Sequence, residues 1–131
     1  MENYSVKIAE TTHDLTAREK ILMKDTTNAH KIDDAVDECK DLGTTLIITP
    51  VDYVVLNVHN EKSKDRKDYN NYLIIADDGT KYVTGSPSFW SSFKEIWDEM
   101  KEESDEPFQI EIYKVPSKNY NGKDFITCSI I

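Results

Sequence analysis

Apolar and polar positions alternate through most of the chain beyond Thr44, and at two places the spacing changes to that of a helix. Thr44 to Asn60 (TTLIITPVDYVVLNVHN) is rich in β-branched residues and reads as one long strand interrupted at Pro50. Proline cannot donate to a ladder, so Pro50 should mark an edge, a bulge or a bend. Glu61 to Asp68 (EKSKDRKD) is entirely polar, hence a loop. Tyr69 to Ala76 reads as the second strand. Asp77-Asp78-Gly79-Thr80 is a tight turn in which Gly79 can supply a positive φ, and Lys81 to Thr84 follows as a short third strand. Phe108 to Val115 alternates cleanly, with Phe108, Ile110 and Ile112 on one face. Pro116 to Lys123 is turn-rich, and Asp124 to Ile131 reads as a closing strand with Ile126, Cys128 and Ile130 inward.

The clearest helix lies between the third and fourth strands. Ser86 is a good cap and Pro87 takes the first helical position, where its missing N–H costs nothing. Phe89, Trp90, Phe93, Ile96, Trp97 and Met100 form one stripe, while Glu95, Asp98, Glu99, Glu102 and Glu103 take the other side. A stripe of this kind is core far more often than ligand site. A second helix is expected from Asn28 to Leu42, with Ile32, Ala35, Val36, Cys39 and Leu42 on one face and Gly43 as its stop. Residues 1–25 show no clean period and read either as a flexible arm or as a short helix over Leu15 to Met23.

From Thr44 onward the order is therefore β-β-β-α-β-β. That is the order of an OB-fold, so the expectation is a mostly β domain with helices, closed as a barrel, spanning residues 26–131 with a leading helix. The final strand reaches Ile131, so truncation there should damage folding, and no acidic recruitment tail is expected.

Composition narrows the function classes. At 131 residues and 38% hydrophobic content the chain suits one domain with a single core. No apolar run approaches the length needed to cross a bilayer, and the start lacks a signal-peptide pattern. The expected setting is cytoplasmic, and Cys39 and Cys128 are expected as free thiols. His13, His30 and His59 have no ligand spacing, which argues against zinc. No phosphate-cradling glycine loop or nucleophile–base arrangement is present, so neither an enzyme nor a cofactor is expected.

Net charge is −9, which at first opposes a nucleic-acid partner. Its placement softens that objection. Segments 33–41 and 95–106 hold twelve acids and two lysines, a net of −10, which leaves the rest of the chain at +1. The loop joining the first two strands offers Lys62, Lys64, Arg66 and Lys67, interleaved with Glu61, Asp65 and Asp68. The loop between the last two offers Lys118, Tyr120 and Lys123, with Lys114 just before it. These are the two loops through which OB-folds bind ligands. Cations track phosphates while aromatic rings stack on bases, so Tyr72 and Tyr82, with Lys81 beside them, are expected to floor a groove. His59 either joins them or is an ordinary surface histidine.

The segments YLIIADDGTKYVTGS and VPSKNYNGKDFITCSI, with the helix between them, resemble the small single-stranded DNA-binding proteins of bacteriophages and mobile elements of Gram-positive bacteria. The resemblance covers roughly Asn28 to Ile131. It implies a non-catalytic OB-fold in a bacterial host cell that coats single-stranded DNA during replication or recombination and works with replication or recombination proteins. The chain departs from many such proteins in its acidic helices and in lacking an acidic tail. The alternative is a protein–protein interaction module, including an acidic DNA mimic, that engages a basic partner through those helices.

Overall fold

A computed structural model describes residues 4–12, 14–62, 68–116 and 124–131. It is mostly β, with eight strands and three helices among those residues. Five strands form one sheet in the order β1-β4-β5-β6-β2, and three form another in the order β3-β7-β8. The strands are β1 (Tyr4–Thr11), β2 (His30–Lys31), β3 (Leu46–Ile48), β4 (Pro50–Asn60), β5 (Asp68–Ala76), β6 (Lys81–Thr84), β7 (Ile110–Pro116) and β8 (Asp124–Ile130). The helices are α1 (Ala17–Lys24), α2 (Ile32–Asp41) and α3 (Pro87–Glu103).

The break at Pro50 divides the long strand between the two sheets. Before it, Leu46 and Ile48 of β3 pair with Ile112 and Ile110 of β7. After it, β4 pairs antiparallel with β5 from Pro50↔Ala76 to His59↔Asp68. The missing proline N–H thus falls where the chain changes ladders. The turn after β5 forms as the sequence indicates, with Gly79 at φ +87 and the Thr80 N–H donating to Asp78 Oδ1 at 2.9 Å.

Three features differ from the sequence reading. Of the two readings of residues 1–25, the short helix forms as α1, while residues 4–11 are not a loose arm but an edge strand paired with β4 from Tyr4↔Asn60 to Thr11↔Val54. Only Val6 and Ile8 mark its inner face, too short an alternation to stand out. Helix α2 begins at Ile32, because His30 and Lys31 pair in parallel with Tyr82 and Val83. Among the described residues neither sheet closes into a barrel. β2 occupies the outer edge of β6, the edge that closure onto the last strand would use, and β8 pairs with β7.

The larger core lies between the two sheets and beneath the helices. Phe89, Phe93 and Trp97 of α3 and Ile32 and Val36 of α2 pack with Tyr53, Ile74, Ile110, Ile112 and Ile126. The α3 start is set by Ser86 Oγ, which accepts from the Phe89 N–H at 3.2 Å, with Pro87 in the first turn. Tyr53 ties the layers together: its hydroxyl accepts from Lys94 Nζ at 2.7 Å and donates to Glu10 Oε1 at 3.1 Å. A smaller core occupies the opposite face of the five-stranded sheet. There Val54, Leu56 and Leu73 are buried, with Val6, Ile8, Met23, Ala29 and Val83 packed around them. The unbroken buried run Tyr53–Leu56 is the local mark of a strand covered on both faces. No helix among the described residues is long and apolar enough to cross a membrane.

Candidate functional site

Helix α3 does not cover the whole of its sheet face. It begins at Pro87, and its first turns reach only to Tyr72, whose ring stacks on Trp90 at 4.7 Å and 13°. Beyond Tyr72 the same face continues as polar residues. Lys7 of β1 stands opposite Asn57 of β4, and Asn57 opposite Asn70 of β5. One step further out, Ser5, His59 and Asp68 form the next cross-strand row. With Gly85 and Pro87 as a wall, these residues line an open cleft of about 810 Å³.

His59 clasps the outer end of this cleft. Its Nδ1 lies 2.6 Å from Asp68 Oδ1 and its Nε2 lies 2.6 Å from Glu61 Oε1. Both nitrogens can donate only when the ring is protonated. The hydrogen bonds to Asp68 and then Glu61 accordingly hold its pKa above the ordinary histidine value. Glu61 follows β4 and Asp68 opens β5, so the His59 ring joins the two ends of the connection between those strands. Lys62 stands in the exposed turn at that point, its N–H donating to Asn60 Oδ1 at 3.0 Å.

The structure redistributes the residues expected to bind. Tyr72 lines the inner end of the cleft, but only 8% of it is exposed and its ring is committed to Trp90. Tyr82 lies half-buried against the larger core, its centroid 5.9 Å from that of His30, and burial raises its pKa. Neither ring forms the outward platform expected on strands β5 and β6, because the opposite face of those strands carries Leu73 and Val83 beneath Met23 and Ala29. Lys81 Nζ donates to the Leu22 carbonyl at 2.8 Å and so anchors α1. Lys114 Nζ donates to Asp37 Oδ1 of α2 at 2.9 Å. Lys64, Arg66, Lys67, Lys118, Tyr120 and Lys123 lie outside the described residues.

Ser5, Lys7, Asn57, Asn70 and Gly85 escape a reading by sequence alone. The linear signal for the strand residues among them is polar residues alternating with apolar ones, in YSVKI and LNVHN, with the asparagine pair Asn70-Asn71 on β5. Among the described residues no cluster of His, Cys, Asp or Glu is arranged to hold a metal ion. Chemically, the cleft offers amide groups that both donate and accept and one ammonium, on Lys7, beside the His59–Asp68 pair. Those groups suit binding. Compared with family models, curated proteins and solved structures, the chain finds no match.

Proposed function

We propose that the protein is a non-catalytic, sequence-tolerant binder of single-stranded DNA, built on an open OB-like scaffold. The observation that carries this reading is the polar cleft at the root of the β4–β5 connection, with Lys7 on its floor and Lys62 exposed in the turn that follows β4. The stretch leaving Lys62 and rejoining at Asp68 supplies Lys64, Arg66 and Lys67 in sequence. Asn57 and Asn70 can hydrogen-bond base edges.

The strand pairing supports the OB part of the reading. Its long first strand is shared between two neighbours, β3 with β7 and β4 with β5, and the β5–β6 and β7–β8 ladders follow. An OB barrel is itself partly open. Here the ligand face is displaced: α1 and its flank cover the usual sheet face, leaving the outer part of the α3-side face open. Coating of single strands in phage or mobile-element replication or recombination is the role that the sequence resemblance implies for such a binder.

The test is fluorescence anisotropy of labelled oligo-dT at low and moderate salt, with a duplex control. Each phosphate neutralised on a single strand contributes about −0.7 to the log–log salt slope, so replacing both Lys7 and Lys62 with glutamate should flatten the slope by at least about 1.4. Unchanged affinity in that variant would remove the cleft from the reading. Absence of wild-type binding at low salt would overturn the function. It would favour a basic protein partner for the exposed acids Glu95, Asp98, Glu99, Glu102 and Glu103 on α3.

A further inference from the structure

We infer that the binding path does not end in the cleft. It turns over the sheet edge at Gly85 into a second recess on the opposite face, so that a single nucleic-acid strand saddles the backbone of Gly85. The inference rests on the single-strand reading and extends it to the recess residues Thr26, Thr27, Lys31 and Asn71, which have no role in that reading.

The recess has a volume of about 310 Å³ and is lined by Thr26, Thr27, Lys31, Asp33 and Asn71 among others. Gly85 lines both hollows. The edge between them exists because the strands differ in length. β6 ends at Thr84, opposite Tyr72, while β5 runs on to Asp68. Tyr69 to Asn71 therefore have no ladder partner on that side among the described residues. Alternation then places Asn70 in the cleft and the adjacent Asn71 in the recess. One amide stands on each side of the saddle.

Gly85 has no local reason to be glycine. It is not among the glycines with positive φ. A Cβ there would meet Asn71 Oδ1 at 3.7 Å and the Asn70 carbonyl oxygen at 3.8 Å, ordinary contact distances. Neither conformation nor protein packing excludes a Cβ there. What a side chain would do is stand in the opening between the two hollows, and close approach of a ligand to backbone is the remaining use of glycine.

The recess chemistry fits the continuation of a strand. Lys31 offers one ammonium, Thr26 and Thr27 offer hydroxyls, and Asn71 offers an amide. Asp33 keeps the recess from being strongly positive, which suits a single phosphate at Lys31 rather than a run of them. The mixed amide, hydroxyl and ammonium lining matches a sugar-phosphate chain with bases better than a peptide with apolar side chains.

The experiment uses the full chain, an oligo-dT of about 12 nucleotides and two readouts. In backbone-amide NMR titrations, Gly85, Asn71, Thr27 and Lys31 should shift together with Asn57 and Asn70. In anisotropy, Lys31→Gln should weaken binding several-fold and flatten the salt slope by about 0.7. Gly85→Leu should weaken binding at least about tenfold, while Gly85→Ala stays within about twofold, with circular dichroism melts confirming that both fold. If cleft amides shift but recess amides do not, or if Lys31→Gln and Gly85→Leu bind as wild type, the path stops in the cleft. The single-strand reading then stands and the saddle falls. No binding by the wild type overturns both.

Discussion

Truncating Leu73 to alanine tests whether the face of the five-stranded sheet beneath α1 is a second core rather than a binding platform. Leu73 is fully buried beside Val54 and Leu56, with Val6, Ile8, Met23 and Val83 around it. The substitution removes three carbon groups, and at about 0.8 kcal/mol each the lost transfer energy alone is about 2.4 kcal/mol. β5 is held by ladders to β4 and β6 at this position, so the hole cannot fully collapse. The cavity left behind raises the expected loss to roughly 3–4 kcal/mol. Against a domain stability of about 5–15 kcal/mol this is a large share. In urea denaturation followed by circular dichroism, with a slope of about 1–3 kcal/mol/M, the midpoint should fall by roughly 1–4 M at unchanged slope. Oligonucleotide affinity, corrected for the folded fraction, should equal that of the wild type, because Leu73 lines neither the cleft nor the recess. A loss below about 1 kcal/mol would mean that this face is solvated. The displacement of the ligand site to the other face would then lose its physical basis.

Three further outcomes follow from the structure. His59 has a raised pKa through Asp68 and Glu61, so its contribution to stability is complete below the ordinary value of about 6.5 and is lost as pH rises through the folded value. Urea melts of wild type and His59→Gln at several pH values should converge on the alkaline side, and curves that stay parallel throughout would contradict the clasp. Burial pushes the Cys128 thiol up to about 12, so a maleimide at about pH 8 should label half-buried Cys39 first and Cys128 only on unfolding. Mass spectrometry showing equal labelling rates would refute that order. Tyr53→Phe keeps the packed ring but removes the hydroxyl between Lys94 and Glu10, at a cost of about 1–2 kcal/mol. A melting temperature unchanged from wild type would show that this link between β1, β4 and α3 carries no stability.

Much of the chain's local structure is legible because each signal is contained in a short window. The Ser86–Pro87 start and the aromatic stripe define α3, the Asp-Gly turn defines the β5–β6 hairpin, and Pro50 marks a break in the ladder. β1 is not legible, since Val6 and Ile8 alone supply its inner face and its partner lies some fifty residues away in β4. The site is legible least. Basic residues draw attention to Lys81 and Lys114, yet these cations are held by the Leu22 carbonyl and by Asp37. The cleft floor is instead assembled from polar residues on three strands, one or two from each.

The sequence by itself determines which residues of each strand share a face, where the main helix begins, and that the acid is concentrated on two helices. Those follow from backbone period, capping and composition, all of which act locally. Which face of the five-stranded sheet is open was decided only by the tertiary structure. Tyr53 to Leu56 is apolar at every position, so the pattern cannot rank one face above the other. The choice depends on long-range competition for surface and edges. α3 covers Tyr72 and stops, α1 and its flank cover Leu73, and β2 takes the edge of β6 that would otherwise close the barrel. What remains uncovered on the α3 side is its polar outer half, and that is where the cleft lies.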